Sequence, residues 1–334
     1  MKLFVSIPNN TEVMRTFVSE DVKKYMEERF EVAYSPLNRQ IKPEEIAEYA
    51  ADADVILTGW GHCQMDAACL KNTSIKLVAH TGGSVGSLVT PDLYDAGIKV
   101  ISGNDMYADS VAEGVLAYML TMLRKIPDYC GNIKDGGWKP VGLIPEGILD
   151  QTVGIIGMGA ISSRVIKLLQ PFHVKIKIYS SYPVEESFLK ENNAVLVSLE
   201  EIFATCKIVS LHSAMNERTR GMIGKKHFDL LQEGSYFLNT ARGRIIKEDE
   251  LIESLKENHF RAMLDVYYEE PLSSENLLRS LPNVYCMPHV AGPTADRRPI
   301  ITMRLADDIL RFMEGESLNF EISKEYAARM TVGG

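Results

Sequence analysis

The sequence predicts an α/β protein of two domains, each built on a doubly wound parallel sheet. Short apolar runs alternate with helix-like segments along the chain, and this alternation begins twice. A connection rich in Gly and Pro, DGGWKPVGLIPEG at 135–147, separates the two series. The length of 334 residues also suits two cores of ordinary size.

The first series contains the apolar runs KLFVSI, DVILTG, IKLVAH and IKVISG, with helical spacing in intervening segments such as KPEEIAEYAA. A longer segment, YADSVAEGVLAYMLTMLRKIP, then predicts a helix with Val111, Val115 and Met119 near one face. We expect Pro127 to end this helix, because proline disrupts a helix interior. Such a helix would lead from one domain to the next.

The second series contains TVGIIG, VKIKIY, KIVSLH, SYFLNT, RAMLDV and NVYCM. The last helical segment, DRRPIITMRLADDILRFMEG, has no strand after it, so we expect it to return to the first domain. The predicted substrate domain is therefore discontinuous, at 1–103 plus 291–334. The predicted dinucleotide-binding domain occupies 104–290.

Composition and charge narrow the classes of partner. With 36 Lys and Arg against 45 Asp and Glu, the formal net charge is −9, which disfavours nucleic acid and anionic membrane surfaces. No apolar run is long enough to span a membrane, and the N-terminal MKLFVSIPNN lacks a signal-peptide core. The five cysteines form no CxxC pair, and no histidine and carboxylate spacing resembles a metal site. These features predict a cytoplasmic protein with reduced thiols and no metal.

A glycine turn predicts a dinucleotide site. Gly157, Gly159 and Ser162 form G-M-G-A-I-S directly after the run TVGIIG and before a helical pattern. A glycine at 157 permits a tight turn, and the absent side chain at 159 lets a pyrophosphate approach the backbone. The helix N-terminus supplies free N–H groups. Ser162 replaces the usual third glycine and is small enough for close packing.

The acidic residue that usually holds the ribose is missing. In the strand VKIKIYSSY, Ser180 and Ser181 stand where a carboxylate would accept hydrogen bonds from the ribose hydroxyls. A 2′-phosphate would meet no repulsion there, but no Arg follows to bind it. The sequence therefore predicts NAD or NADP as cofactor and leaves the preference open.

Polar side chains follow three strands of the second series. Arg242 follows SYFLN, Asp265 and Glu270 follow RAML, and His289 follows NVYCM. Ligands of doubly wound folds bind outside the carboxyl ends of the strands, so these groups converge near the expected nicotinamide.

These motifs together resemble the D-isomer-specific 2-hydroxyacid dehydrogenase family. The resemblance rests on the glycine turn, LHSAMNERTRGMIGKKHFDLLQEGSYFLNTARGRIIKEDEL, LDVYYEEP, PHVAG and SVAEGVLAYML, in the order and spacing of the family. It implies a flavodoxin-like substrate domain and a Rossmann-like NAD(P)-binding domain with the active site in the cleft, usually in a homodimer.

The resemblance also implies roles for individual residues. It implies a catalytic trio of Arg242, Glu270 and His289. It places Ser213, Thr240 and Asp265 near the cofactor, with Ala160 and Ile161 at its pyrophosphate. It also places Gly82, Gly83 and Ser84 of HTGGSVGS in the loop that binds the substrate carboxylate. This loop lacks the usual Asp of the family a few residues on.

The chemistry of 2-keto acid reduction agrees with these roles. It needs a proton donor, which His289 can be near neutral pH, and a fixed cation, for which the Arg242 guanidinium offers a planar fork. Glu270 is suited to orient His289 and to favour its charged form. Among the other histidines, His80 beside the carboxylate loop is a further candidate for substrate contact.

Two classes of function remain open at this stage. One is a reductase of a small 2-keto acid, and the other is a non-catalytic dinucleotide sensor or corepressor on the same scaffold. The carboxylate of Glu270 disfavours formate oxidation, since that branch of the family has an amide there. Glyoxylate, hydroxypyruvate, phosphoglycerate and branched 2-keto acids all remain candidate substrates.

Overall fold

A computed structural model describes residues 1–332. The chain forms two compact units, and the first combines Met1–Tyr107 with the chain from Pro293 onward. The second unit is Ala108–Gly292. The sequence had predicted the boundaries at 103/104 and 290/291.

The first unit contains a five-stranded parallel sheet. In chain order its strands are β1 Lys2–Val5, β2 Glu31–Tyr34, β3 Val55–Thr58, β4 Leu77–His80 and β5 Lys99–Ser102. Their order in the sheet is β2-β1-β3-β4-β5, which is the flavodoxin-like order. Every residue of β3 and β4 is buried, as expected of parallel strands covered on both faces.

Helices cover both faces of this sheet. They are α1 Glu12–Phe17, α2 Glu20–Glu27, α3 Ile46–Ala50, α4 Pro91–Asp95, α12 Arg297–Met313 and α13 Lys324–Ala327. The late helix α12 contributes Ile301, Leu305 and Ile309 to the same apolar core as Leu3 and Val5 of β1.

The second unit contains a seven-stranded parallel sheet. Its strands are β6 Thr152–Ile156, β7 Lys175–Tyr179, β8 Ala194–Leu196, β9 Ile208–Leu211, β10 Ser235–Asn239, β11 Phe260–Leu264 and β12 Val284–Cys286. The order β12-β11-β10-β9-β6-β7-β8 is that of a Rossmann fold with one added strand. The predicted fold class, two doubly wound parallel sheets, is confirmed.

The helices of this unit are α6 Ile126–Lys134, α7 Ala160–Leu169, α8 Glu186–Glu191, α9 Leu199–Thr205, α10 Lys225–Phe228 and α11 Glu248–Lys256. The connecting helix α5, Asn104–Leu123, runs across the boundary between the units. The prediction that Pro127 ends α5 is wrong. The helix ends at Leu123, and Pro127 lies in the first turn of α6, where a proline needs no hydrogen-bond acceptor.

Neither a membrane span nor a metal cluster occurs within residues 1–332. No helix there is long and apolar enough to cross a bilayer. The same residues contain no group of three His, Cys, Asp or Glu side chains that could hold a metal ion.

Candidate active site

The glycine turn links β6 to α7. Gly157 has a φ of +97°, a left-handed conformation that glycine adopts readily. A Cβ at this position would lie 2.6 Å from the backbone N of Ser213, so a side chain cannot fit there. The Gly157 N–H donates to the carbonyl of Tyr179 at 2.8 Å, which ties the turn to the end of β7.

The start of α7 is open and polar. Apart from Gly159 and its chain neighbours, no atom of residues 1–332 lies within 4 Å of the Cβ position of Gly159. The buried Ser162 hydroxyl accepts a hydrogen bond from the Gly159 N–H at 2.7 Å, so serine braces the turn where the motif usually has glycine. Helix geometry leaves the N–H groups of Ala160 and Ile161 without an intrahelical acceptor. The space beside Gly159 and the N–H groups at the start of α7 therefore form a site that could bind a pyrophosphate.

Ser180 follows β7 directly, beside the glycine turn. Its hydroxyl donates to the carbonyl of Tyr182 at 2.7 Å and accepts from the Tyr182 N–H at 3.2 Å. The serine therefore closes a local turn at the place where a ribose-binding carboxylate would stand.

Ser213 and Thr240 follow β9 and β10. The Ser213 hydroxyl donates to the carbonyl of Ile156 at 3.3 Å, which holds it against the glycine turn. The Thr240 hydroxyl is buried and forms no hydrogen bond with any described residue. A buried hydroxyl without a partner is costly, and a bound cofactor would remove that cost.

Arg242 lies in the turn that follows Thr240. Its Nη1 donates to the carbonyl of Ala241 at 2.7 Å, and its buried Nε has no partner in the described part of the chain. Burial lowers the pKa of Arg242, and the nearby Glu270 carboxylate acts in the opposite direction. Asn239, which sequence reasoning missed, braces this turn by accepting from Ala241 N–H at 3.0 Å and donating to Arg242 O at 3.2 Å.

Gly243 brings two loops of the site together. A Cβ at Gly243 would lie 1.9 Å from the carbonyl carbon of Tyr267. Any other residue would therefore push the Arg242 turn away from the loop that carries Glu270. Sequence reasoning also missed this glycine, because the approach joins segments more than twenty residues apart.

Glu270 and His289 form a direct pair. His289 Nδ1 lies 2.6 Å from Glu270 Oε2, while Oε1 accepts from the Tyr267 N–H at 3.0 Å. Burial raises the pKa of Glu270, but the hydrogen bonds from His289 and Tyr267 and the charges of His289 and Arg242 outweigh burial and lower it overall. The second unit thus brings the three predicted catalytic side chains into one electrostatic cluster.

Asp265 holds the loop that carries His289. It is 1% exposed, and its carboxylate accepts from the N–H groups of Val290 and Ala291, both at 2.9 Å. The Tyr118 hydroxyl of α5 donates to the same carboxylate at 3.1 Å. These bonds support His289 in its left-handed conformation, with a φ of +55°. The expected contact of Asp265 with the cofactor remains a prediction.

The predicted carboxylate loop lies in the first unit, after β4. The carbonyl groups of Gly82 and Gly83 accept from Gly103 N–H and from the Ser102 hydroxyl, both at 3.0 Å. The Ser84 hydroxyl donates to the carbonyl of Thr331 at 2.9 Å. The loop N–H groups of Gly82, Gly83 and Ser84 donate to no described residue. The loop is therefore fixed through its carbonyls and presents its donors.

Comparisons with known proteins agree with this architecture. Residues 116–291 match the family model of the D-isomer specific 2-hydroxyacid dehydrogenase, NAD binding domain. A glyoxylate reductase/hydroxypyruvate reductase from Homo sapiens is 28% identical over 262 residues, which are 77% of this chain and 79% of the relative. A glyoxylate reductase from Aeropyrum pernix is 30% identical over 228 residues, covering 66% of this chain and 68% of the relative.

Other matches are partial or structural. A D-3-phosphoglycerate dehydrogenase from Methanocaldococcus jannaschii is 29% identical over 298 residues, which are 89% of this chain but only 56% of the relative. The crystal structure of a glyoxylate reductase from Paecilomyes thermophila superposes with a TM-score of 0.80 and 20% identity, covering 97% of this chain and 99% of that chain. At this identity the structural match supports the fold alone.

Proposed function

Because the chain belongs to the D-isomer-specific 2-hydroxyacid dehydrogenase family, we propose that it reduces a small 2-keto acid with His289 as the acid/base. It is a hydroxyacid oxidoreductase with a domain for a nicotinamide cofactor. The alternative of a non-catalytic sensor or corepressor is not favoured by these relatives. The observation that carries the proposal is the pair of Glu270 and His289, with Arg242 beside it.

His289 is proposed to move the proton. Its Nδ1 is engaged by Glu270, so Nε2 is the atom that would donate a proton to the oxygen of the keto group as it becomes an alkoxide. An ionised Glu270 stabilises the imidazolium that must be present for this step. In the reverse direction the neutral Nε2 would accept the proton of the hydroxy acid.

Arg242 is proposed to bind the substrate. Its Nε and Nη2 are not engaged by described residues, and they form one edge of the planar guanidinium. That edge matches a carboxylate, or a carboxylate oxygen and a keto oxygen, in two hydrogen bonds. Because Nη1 is held by the backbone of Ala241, the fork is already oriented before substrate binds.

The proposed cofactor contacts lie at the carboxyl edge of the second sheet. Gly157, Gly159, Ala160 and Ile161 would hold the pyrophosphate, and Ser213, Thr240 and Asp265 would lie towards the nicotinamide. When bound, the nicotinamide supplies or accepts the hydride.

We propose that selection between NAD and NADP is weak. Ser180 presents no charge to the ribose, so it neither binds the 2′-hydroxyl as a carboxylate would nor repels a 2′-phosphate. The following residues, Ser181, Tyr182 and Pro183, supply no cation to bind that phosphate.

We also propose a homodimer, through an arm of residues 135–149. This arm exposes four large apolar side chains: Trp138 at 75%, Val141 at 104%, Ile144 at 69% and Leu149 at 60%. Four exposed large apolar side chains close together in the chain are a candidate for the contiguous apolar patch that marks a protein interface. Light scattering should report a dimer for wild type and a monomer for Ile144→Asp. Leu277→Asp, an exposed apolar site outside the arm, should leave the dimer intact.

The reaction is tested with a panel of 2-keto acids. Glyoxylate, hydroxypyruvate, phosphohydroxypyruvate and a branched 2-keto acid are each incubated with NADH and with NADPH, and loss of cofactor absorbance is followed. We expect turnover of at least one acid, with loss of at least about 100-fold in kcat/KM for His289→Gln. Cofactor binding without turnover of any acid would contradict the proposal.

A further inference from the structure

Helix α5 meets the structure around His289 at two positions that lie one turn apart. Gly114 and Tyr118 are four residues apart in α5, so they share one face of the helix. A Cβ built on Gly114 would lie 3.0 Å from the carbonyl oxygen of Ala291 and 3.2 Å from its Cα. One turn further on, the Tyr118 hydroxyl donates to Asp265 Oδ1 at 3.1 Å. This face of α5 therefore lies directly against the loop that carries His289, here called the His289 loop and defined as residues 287–292.

The Asp265 carboxylate joins α5 to the His289 loop. Oδ1 accepts from the Val290 N–H as well as from Tyr118, and Oδ2 accepts from the Ala291 N–H. Because Asp265 is 1% exposed, its charge depends on these protein donors rather than on water. Two of the three donors belong to the His289 loop itself. Among residues 1–332, Tyr118 supplies the side-chain donor that ties this carboxylate to a rigid element.

Tyr118 keeps the proton that it donates. Burial raises the pKa of Tyr118, and the charge of Asp265 and the hydrogen bond to it raise the pKa further. The phenol is therefore protonated at neutral pH and can only complete the bond as a donor. Hydrogen bonds from a neutral donor to an ionised carboxylate are stronger than those between neutral groups. This bond therefore fixes the direction in which the carboxylate points.

The backbone of His289 needs such support. Its φ of +55° is a conformation that a residue other than glycine retains only when surrounding contacts hold it. Glu270 Oε2, 2.6 Å from Nδ1, orients the imidazole ring but does not hold the main chain. The main chain is held by the two N–H groups that donate to Asp265. If Asp265 turned, the loop could move and Nε2 would leave the position from which it donates its proton.

We propose that Tyr118 is a positioning residue for proton transfer, because it fixes Asp265 and through Asp265 the backbone that carries His289. The inference rests on the proposed function, in which His289 moves the proton. Proton transfer requires a well-defined distance between donor and acceptor, so a loosened loop lowers kcat. Substrate binding should change little, because the guanidinium of Arg242 is oriented by Ala241 on another loop.

The first test is Tyr118→Phe, which removes the hydroxyl and keeps the ring. We expect kcat for the best 2-keto acid to fall at least about tenfold, while KM changes by less than about threefold. Tyr236→Phe is the matched control. The Tyr236 hydroxyl also donates to a carboxylate of the second unit, that of Glu146 at 2.7 Å, but Glu146 lies outside the His289 loop. Its kcat should stay within about twofold of wild type.

A double substitution tests whether Tyr118 acts through Asp265. Asp265→Asn removes the charge to which Tyr118 donates, so it should lower kcat by itself. Residues of one hydrogen-bond network have effects that do not add. We therefore expect Tyr118→Phe to lower kcat by less than about twofold further in the Asp265→Asn background. A loss in that background as large as the loss in wild type would overturn the inference.

A second measurement does not depend on turnover. Hydrogen–deuterium exchange of the full chain, followed by mass spectrometry, should show the amides of Val290 and Ala291 exchanging at least about tenfold faster in Tyr118→Phe. A peptide from β9, residues 208–211, serves as the reference and should exchange as in wild type. Faster exchange in both peptides to the same extent, or in neither, would overturn the inference.

The two measurements separate this inference from the proposed reaction. Faster exchange of the His289 loop alone, in a protein that reduces no 2-keto acid, would uphold the support by Tyr118 and contradict the proposed reaction. An enzyme that reduces a 2-keto acid with the same kcat in wild type and Tyr118→Phe would overturn the inference and leave the proposed reaction standing.

Discussion

His289 Nδ1 lies 2.6 Å from Glu270 Oε2, although the two residues stand on different loops of the second unit. The other carboxylate oxygen of Glu270 is engaged by the Tyr267 N–H, so the carboxylate cannot turn away from the imidazole. This geometry orients His289 and leaves its Nε2 without a bond to Glu270, as the proposed proton transfer requires.

The pairing of Glu270 with His289 predicts how the activity of Glu270→Gln depends on pH. The hydrogen bonds from His289 and the Tyr267 N–H, with the charges of His289 and Arg242, lower the pKa of Glu270 against the effect of burial, so a carboxylate stands beside the imidazole. Reduction needs the imidazolium and fails as the pH rises. In Glu270→Gln the alkaline limb of kcat/KM for reduction should therefore move to lower pH, by up to about one pH unit.

The measurement is a pair of pH profiles in each direction of reaction, with a deuterated cofactor to verify that chemistry limits the rate. Oxidation of the hydroxy acid needs neutral imidazole, so its acid limb should also move to lower pH in Glu270→Gln. An alkaline limb that stays in place or moves upward would exclude Glu270 as the partner of His289.

Arg242→Lys should damage substrate binding more than cofactor binding. A lysine cannot reproduce the planar fork that Arg242 presents, although it retains the charge. We expect kcat/KM for keto-acid reduction to fall at least about 100-fold, or roughly 2.7 kcal/mol. The dissociation constant of NADH, measured by fluorescence, should stay within about threefold. An equal loss of cofactor affinity would assign Arg242 to the dinucleotide site.

Ser180→Asp should shift the cofactor preference towards NADH. An aspartate can accept the Tyr182 N–H as Ser180 does, although it loses the bond that the Ser180 hydroxyl donates to the Tyr182 carbonyl, and its charge repels a 2′-phosphate. The ratio of kcat/KM for NADH to that for NADPH should rise at least about tenfold, or about 1.4 kcal/mol. Ser180→Asn, which has the shape of aspartate without its charge, is the control and should leave this ratio nearly unchanged. A wild type that already rejects NADPH would show that another group performs the role of the missing acid.

Gly243→Ala should disrupt the site through sterics alone. Its Cβ would overlap the Tyr267 backbone, so the Arg242 turn and the Glu270 loop must separate. We expect kcat/KM to fall at least about 100-fold and stability to fall by about 1–3 kcal/mol. Gly131→Ala in α6, where no described atom outside the helix backbone lies within 4 Å of the Cβ position, should keep activity and stability. Unchanged activity in Gly243→Ala would contradict the proposed pairing of these loops.

Histidines whose pKa is lowered by burial predict instability in mild acid. Burial lowers the pKa of His62 to about 4, of His80 to about 3 and of His212 to about 4. In unfolded chains histidine protonates near pH 6.5, so between about pH 6.5 and 4 the unfolded state binds more protons. Stability therefore falls as the pH falls through this window, by about 1.4 kcal/mol per histidine at pH 5.5.

The measurement is Tm from pH 7.5 to 5.0. His212→Gln, which can still meet the Ser210 hydroxyl, should make the decline in Tm shallower than in wild type. A Tm that does not change between pH 7.5 and 5.0 would contradict the lowered pKa values of these side chains.

The pattern of apolar and polar residues along the chain was sufficient to predict much of the fold. Apolar runs such as DVILTG and SYFLNT became buried strands because a parallel strand covered on both faces needs a continuous apolar run. The short strand β2, EVAY, was missed because a charged residue interrupts its apolar character and none of its residues is fully buried, and β8, AVL, was missed because it has only three residues. Pro127 was misinterpreted because a proline suits the start of one helix as well as the end of another.

The sequence by itself determined the two parallel sheets, the glycine turn, the absent acid at Ser180 and the residue types of the site, since these depend on neighbours along the chain. The tertiary structure decided which groups each side chain contacts. Asp265 accepts from Val290 and Ala291, and Gly243 lies against Tyr267, because packing joins segments distant in the chain. Hydrogen bonds need donor and acceptor within about 3 Å, and only the folded sheet brings these loops that close.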